Sequence, residues 1–340
     1  MIAYPFAIKI VFDQIFEVDK KAYHLSLSND RCMGMNTLRF ILLTLFWGGS
    51  FIAIEQSLHV FPPMIAASVR MGLASLLMGL AAVLTQSKGF SNKKEFVLYV
   101  LSGSIALGIP WICLFWGEQY VAPAVASMIN SGVPIFVAVW GISFFRSDQP
   151  KAQEWVGVSL GFVGIFFIFS KPLLQTQNVG ELKGLLAILC MAIFYGLGTN
   201  LIKRLGASMG PKWSMFAQGL GGCLVSIPAA LVMGESWPKN WLSEPSGTWA
   251  LLYLAVFSTA IAWFFYFHLV HTWGSVRAAS VTYTVPLVAI ALDFLAKGHI
   301  PNITEWLGMS IIFIGLYWMR KKAKDRATVD TKKVKVKHAA

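Results

Sequence analysis

The chain has 340 residues, of which 56% are Ala, Val, Ile, Leu, Met, Phe, Trp, Tyr or Cys and 13% are charged, with 28 Lys and Arg against 16 Asp and Glu. A mean hydropathy of +0.63 excludes an ordinary soluble domain, in which about a quarter of the residues are charged. The net charge of +12 is not a nucleic-acid signal, because the basic residues gather between apolar runs and at the C-terminus, as membrane topology requires.

Residues 1–35 hold a weakly amphipathic stretch, MIAYPFAIKIVFDQIF, followed by polar sequence. It is too short for a span and lacks the cleavage pattern of a signal peptide. Met33 and Met35 stand directly before the first apolar run, so translation is expected to start there. Apolar runs of at least 17 residues then follow at 37–56, 64–84, 96–116, 123–145, 154–170, 182–202, 213–234, 248–270, 276–296 and 303–319. An even number puts both termini on one side. With both ends cytoplasmic, 21 basic residues from Lys20 onward fall inside and only Lys171, Lys183, Lys239 and Lys297 outside, which predicts N-in, C-in. The tail 320–340, opening RKKAKDR, reads as a basic cytoplasmic anchor. Cys113, Cys190 and Cys223 lie inside apolar runs, far in sequence from Cys32, so neither a disulfide framework nor a metal site is expected.

The chain repeats itself. FWGEQYVAPAVASMINSGVP at 115–134 aligns without a gap to FHLVHTWGSVRAASVTYTVP at 267–286, an offset of 152. EWVGVSLGFVG at 154–164 matches EWLGMSIIFIG at 305–315 at 151, and FWGGSF at 46–51 matches FYGLGT at 194–199 at 148. Two copies of five spans follow, and because five is odd the second enters the membrane from the opposite side. The expected fold is an all-α integral membrane protein of ten transmembrane helices in two inverted five-helix repeats, at 36–170 and 182–319, the plan of secondary transporters.

LFWGGSFIAIE at 45–55, PPMIAASVR at 62–70, AVASMINSGVP at 124–134 and RAASVTYTVP at 277–286 resemble the EamA domains of the drug/metabolite transporter superfamily. The resemblance covers residues 36–319, twice over, and implies an exporter of metabolites, often amino acids or related small solutes. It also breaks down in two places. Where family members carry Gly-Glu after the fourth and ninth spans, this chain reads FRSDQ at 145–149 and KGHIP at 297–301.

Ionisable residues inside spans are functional candidates, since burying one costs about 2.5–3.5 kcal/mol. Arg70 lies roughly 9 Å into the second span and suits a solute carboxylate or phosphate; the alternative is an internal ion pair with Glu55 or Glu118. The two coexist if solute displaces the carboxylate as a gate, which makes Glu118 a solute-site candidate too. Asp293, four residues before Lys297, is a candidate for proton coupling or half of a local pair. His268 and His271 lack a third ligand nearby, so no metal is expected.

Trp47, Trp111, Trp140 and Trp263, with Tyr195, Tyr266 and Tyr283, either line an aromatic cavity or pack helices. Ser50, Asn130, Thr199, Asn200, Gln218 and Thr282 either meet solute or link helices. Ser50 with Thr199 and Asn130 with Thr282 stand at corresponding places in the two copies, which favours the cavity. Gly157, Gly161, Gly164, Gly308 and Gly315 form small-residue faces that pack within the molecule or across a homodimer.

A secondary transporter in the bacterial inner membrane, exporting a small organic solute without a cofactor, is the expected function. No Gly-Lys dipeptide occurs, which excludes a phosphate-binding loop of the ATPase type. The alternative is a membrane enzyme acting on lipid-linked substrates. Its His, Asp, Glu or Ser cluster should sit in a long loop, and the longest connection, 235–247, holds none.

Overall fold

A computed structural model describes residues 30–318, apart from 146–151, 175–178, 206–208, 298–302, 305 and 316. The body is Leu38–Lys321; a smaller unit joins Met1–Thr37 with Lys322–Ala340, of which the helical residues 30–37 are described. The N-terminal stretch 1–29, the basic tail 320–340 and most of FRSDQ and KGHIP lie outside the described residues.

Every described regular element is helical. Helices α1 (Asp30–Gly48) and α2 (Ser50–Leu58) form one span with a turn at Gly49. The second span is α3 (Pro63–Leu84). The third is α4 (Lys93–Gly103), a π-helical turn at Ser104–Gly108, and α5 (Ile109–Gly117). The fourth is α6 (Pro123–Asn130), a break at Ser131 and Gly132, and α7 (Val133–Trp140), followed by α8 (Ala152–Leu174). The second half runs α9 (Val179–Leu205), α10 (Pro211–Val232), α11 (Pro245–Ala255), a π-helical turn at Val256–Ile261, α12 (Ala262–Trp273), α13 (Ser275–Ala279), a 3-10 turn at Ser280–Tyr283, and α14 (Val285–Lys297). Among the described residues, eight helices are long and apolar enough to cross a membrane. Two shorter apolar stretches, Trp155–Gly164 and Trp306–Gly315, fall where the sequence places the fifth and tenth spans.

The same irregularities recur in each half. Helices α3 and α10 both have 22 residues and both begin with Pro at the first helical position, 148 residues apart. The π turns of the third spans start 152 apart, and so do α7 and α14, which follow the breaks of the fourth spans. The breaks have a local cause. Pro134 and Pro286 occupy the second positions of α7 and α14, where the missing N–H removes a bond that a continuous helix needs.

Helices α3 and α10 run antiparallel, and each covers the other's first turn. Pro62 offers α3 no side-chain cap; instead both Glu235 oxygens, just beyond α10, accept the N–H groups of Met64 (3.2 Å) and Ile65 (2.9 Å). A carboxylate there satisfies orphaned donors and complements the helix dipole. At the other end, Gly210 N–H donates to the Lys88 carbonyl (3.1 Å), Trp213 Nε1 to the Ser87 carbonyl (3.1 Å) and Lys212 Nζ to Thr85 Oγ1 (2.9 Å).

Small residues allow the close crossings. A Cβ on Gly103 would overlap the Gln218 backbone, and one on Gly221 the Val100 carbonyl, so α4 and α10 touch backbone to backbone. The glycine faces of the fifth and tenth spans meet inside the chain: a Cβ on Gly164 would lie 2.7 Å from the Gly308 carbonyl, and one on Gly315 3.1 Å from that of Gly157.

Candidate functional site

Arg70, in the second turn of α3, is 0% exposed. Its Nε donates to Thr259 Oγ1 (2.6 Å) and its Nη2 to Ser258 Oγ (3.1 Å). Both hydroxyls belong to the π turn between α11 and α12. There the Ala262 N–H reaches back five residues to Phe257, and the Ser258 carbonyl accepts Trp47 Nε1 (3.1 Å). The guanidinium carbon lies 3.9 Å over the Trp111 ring and 5.8 Å from that of Phe115, a cation–π arrangement that is strongest where water is absent. The remaining nitrogen, Nη1, has no hydrogen-bond partner, and neither has Trp111 Nε1.

This corrects the ion-pair expectation. Both Glu118 oxygens are buried without a hydrogen bond, as is Arg70 Nη1, so the two groups are not paired. Glu118 caps the C-terminal end of α5 and is 7% exposed, whereas Glu55 on α2 is exposed. The α-helical spacing that brings these charges to one end of the bundle does not bring them into contact; two hydroxyls from the other half hold the arginine instead.

Beside Arg70 stands a group of four rings. Trp47 has centroid distances of 6.0 Å to Tyr195, 6.5 Å to Trp263 and 5.1 Å to Tyr266. Tyr195 lies 5.7 Å from Trp263 and is stacked at 5.8 Å on Tyr266, and Trp263 is 5.3 Å from Tyr266. The Tyr266 hydroxyl bonds Thr199 Oγ1 (2.8 Å); the Tyr195 hydroxyl has no partner. At the Glu118 end, a depression of about 480 Å³ is lined by residues that include Pro62, Trp116, Gln119, Tyr120 and Glu235.

The repeat offsets show that the two halves of the site differ. Arg70 corresponds to Gln218 at 148, and Trp111 to Trp263 at 152. The second pair is neutral: Trp263 Nε1 approaches Gln218 Oε1 (3.4 Å), and Gln218 Nε2 donates to Ser214 Oγ (2.9 Å). The positions matching Ser258 and Thr259 are Ala106 and Leu107. Charge and hydroxyls therefore occur together on one side and are absent together from the other.

Trp47, Tyr195, Trp263 and Thr199 are thus gathered near Arg70. Other candidates go elsewhere. Tyr283 packs with Met128, Ile290 and Ile312 and donates to the Val158 carbonyl (3.1 Å), because the break before α14 turns it toward α8 and away from the ring group. Thr282 Oγ1 bonds its own helix at Ala279, and its carbonyl accepts Ser131 Oγ (2.7 Å). Ser50 Oγ returns to the Trp47 carbonyl (2.7 Å). At an offset of 148 Ser50 corresponds to Gly198, not Thr199, so that symmetry does not hold. Asn130 is half-buried at the end of α6. The Asp293 side chain lies outside the described residues. Ser258 and Thr259 were missed by sequence reasoning; their available signal was two hydroxyls in an apolar span where the first copy has Ala106 and Leu107.

The sequence profile described as the EamA-like transporter family matches residues 36–170 and again residues 182–320. The chain belongs to this family. EamA-like relatives include the uncharacterized inner membrane transporter YedA of Escherichia coli (strain K12), 26% identical over 79% of this chain and 85% of that one. The uncharacterized transporter YoaV of Bacillus subtilis (strain 168) is 25% identical over 82% and 94%, and an uncharacterized transporter of Archaeoglobus fulgidus 26% over 83% and 97%. A solved crystal structure at 17% identity superposes with a TM-score of 0.67 over 84% of this chain and 97% of its own, showing the shared fold. This EamA-like chain is therefore a transporter and not an enzyme, a multi-pass integral protein of the bacterial inner membrane.

Proposed function

We propose that the chain is a secondary transporter that exports a small organic solute, amino-acid-like in size and carrying a carboxylate, by alternating access. The reading takes the chain as ten transmembrane helices in two inverted halves with both termini cytoplasmic, a plan in which carriers hold their solutes at the interface of the halves. The observation that carries the reading is Arg70 Nη1, a charged donor fully buried without a partner. Leaving such a donor unsatisfied is costly, and a solute carboxylate supplies the missing acceptor while Ser258 and Thr259 fix the other two nitrogens. Trp47, Tyr195, Trp263 and Tyr266 give an apolar wall beside that charge.

The test is mass spectrometry of solutes released by bacteria overproducing the chain, against cells carrying Arg70→Ala at equal membrane abundance. A solute class that accumulates outside only with the wild-type chain supports export through this site. Equal release in both, or accumulation inside the wild-type cells, overturns it.

A further inference from the structure

Glu118 is the counterpart of Arg70 in charge and burial, and the ion-pair reading leaves it without a role. Both of its oxygens lack hydrogen-bond partners. A carboxylate in that setting is tolerable only when neutralised, by a cation or by a proton. The charged and titratable groups around it do not provide permanent neutralisation. Arg70 on α3 acts on it through space without a hydrogen bond, and Glu55 on α2 adds a like charge. His59, beyond α2, is exposed. On α9, Lys183 is exposed and Glu181 half-buried, and Glu235 beyond α10 is committed to Met64 and Ile65. Burial pushes the Glu118 carboxyl above the usual carboxylate range, against the pull of Arg70. The next residues, Gln119 and Tyr120, line the 480 Å³ depression, while the Glu118 oxygens themselves stay buried behind it.

The geometry points to Glu118 as a coupling site at which a solute ammonium and a proton exclude one another, so that the solute is a zwitterion and its export is exchanged for one proton. This rests on the reading of Arg70 as the carboxylate site. In the loaded carrier the solute carboxylate lies on Arg70 Nη1 and its ammonium on Glu118. When the ammonium leaves on the outer face, a proton from water there adds to a Glu118 oxygen. The neutral acid returns, and the proton goes to water on the inner face before the next ammonium arrives. One O–H bond forms and one breaks in each cycle, and Glu118 is neutralised in both reorientation steps, by the ammonium on the way out and by the proton on the way back.

Three probes with one ring separate the charges: phenylalanine, phenylpropionate without the ammonium, and phenethylamine without the carboxylate. The purified full chain is titrated with each at about pH 5.5 and about pH 8, and proteoliposomes loaded with a pH-sensitive dye report protons moved by a phenylalanine gradient. Expected are phenylalanine binding at least about tenfold weaker at the acid pH, phenylpropionate binding without that acid weakening, and proton movement opposite to phenylalanine. Glu118→Gln removes the proton movement and the acid weakening, and Glu118→Asp, which keeps the carboxyl group, restores both.

Proton movement or acid weakening that survives in Glu118→Gln overturns the coupling role. Phenylpropionate showing the same acid weakening as phenylalanine also overturns it, since no ammonium is then involved. If phenylalanine binds and Arg70→Ala does not weaken it, or if none of the probes binds the wild-type chain, the Arg70 site reading fails and this inference fails with it. Arg70-dependent binding with Glu118-independent protons defeats this inference alone.

Discussion

The Ser131 hydroxyl donates to the Thr282 carbonyl at 2.7 Å, so the broken fourth span of one half is tied to the matching break of the other. Each break exists because a proline follows it, and each leaves main-chain groups needing a partner. Ser131→Ala removes the donor and should lower stability by about 0.6–1 kcal/mol. Thr282→Val should cost less, because only the Thr282 carbonyl takes part in the crossing while its hydroxyl bonds Ala279. Thermal unfolding of both variants in detergent checks the order; equal losses would mean that the crossing bond is not what matters.

Arg70 is held by a planar fork: two nitrogens are fixed by Ser258 and Thr259, and the third is left open. Lysine keeps the charge but not this geometry. Arg70→Lys should therefore reduce solute affinity about tenfold or more, in line with about 1.5–3 kcal/mol for a hydrogen bond to a charged group. Thr259→Val, which leaves Arg70 in place but frees Nε, should weaken binding by a similar order. Direct binding measurements on both variants test this, and unchanged affinity in Thr259→Val would show that the fork does not position Arg70.

Glu235 caps α3 from the other half of the molecule. Glu235→Ala should destabilise the protein by about 1–2 kcal/mol, the range for losing a helix cap with its dipole interaction. Glu235→Gln retains an acceptor and should lose less. Unfolding midpoints of the two variants give the comparison.

Gln218 stands where the second half would repeat Arg70, with Ala106 and Leu107 in place of the two hydroxyls. Gln218→Arg therefore buries a guanidinium without its holders, at an expected cost of about 3 kcal/mol or more. Membrane abundance of this variant should fall, and adding Ala106→Ser with Leu107→Thr should recover part of it. No recovery would indicate that the two halves are not equivalent around this position.

Much of the architecture is written in local sequence. Apolar length marks the spans, Pro63 and Pro211 mark the starts of α3 and α10, and Pro134 and Pro286 mark the breaks, because each of these acts through its own backbone. Even Arg70 could be singled out, since a charge inside an apolar run is unusual wherever its neighbours lie. What it touches could not be read in the same way.

Ser258 and Thr259 lie 188 and 189 residues from Arg70 and reach it only because a π turn shifts their register on a helix from the other half. The same reasoning left Tyr283 open, because its apolar surroundings fit an aromatic cavity and a helix contact equally well. Hydropathy and proline positions thus determined that this protein crosses the membrane twice over in related halves. Only the packing of those halves decided that Arg70 takes two hydroxyls and not Glu118, because a side chain's partner is set by the rotation of each helix about its axis, and the neighbouring helices determine that rotation.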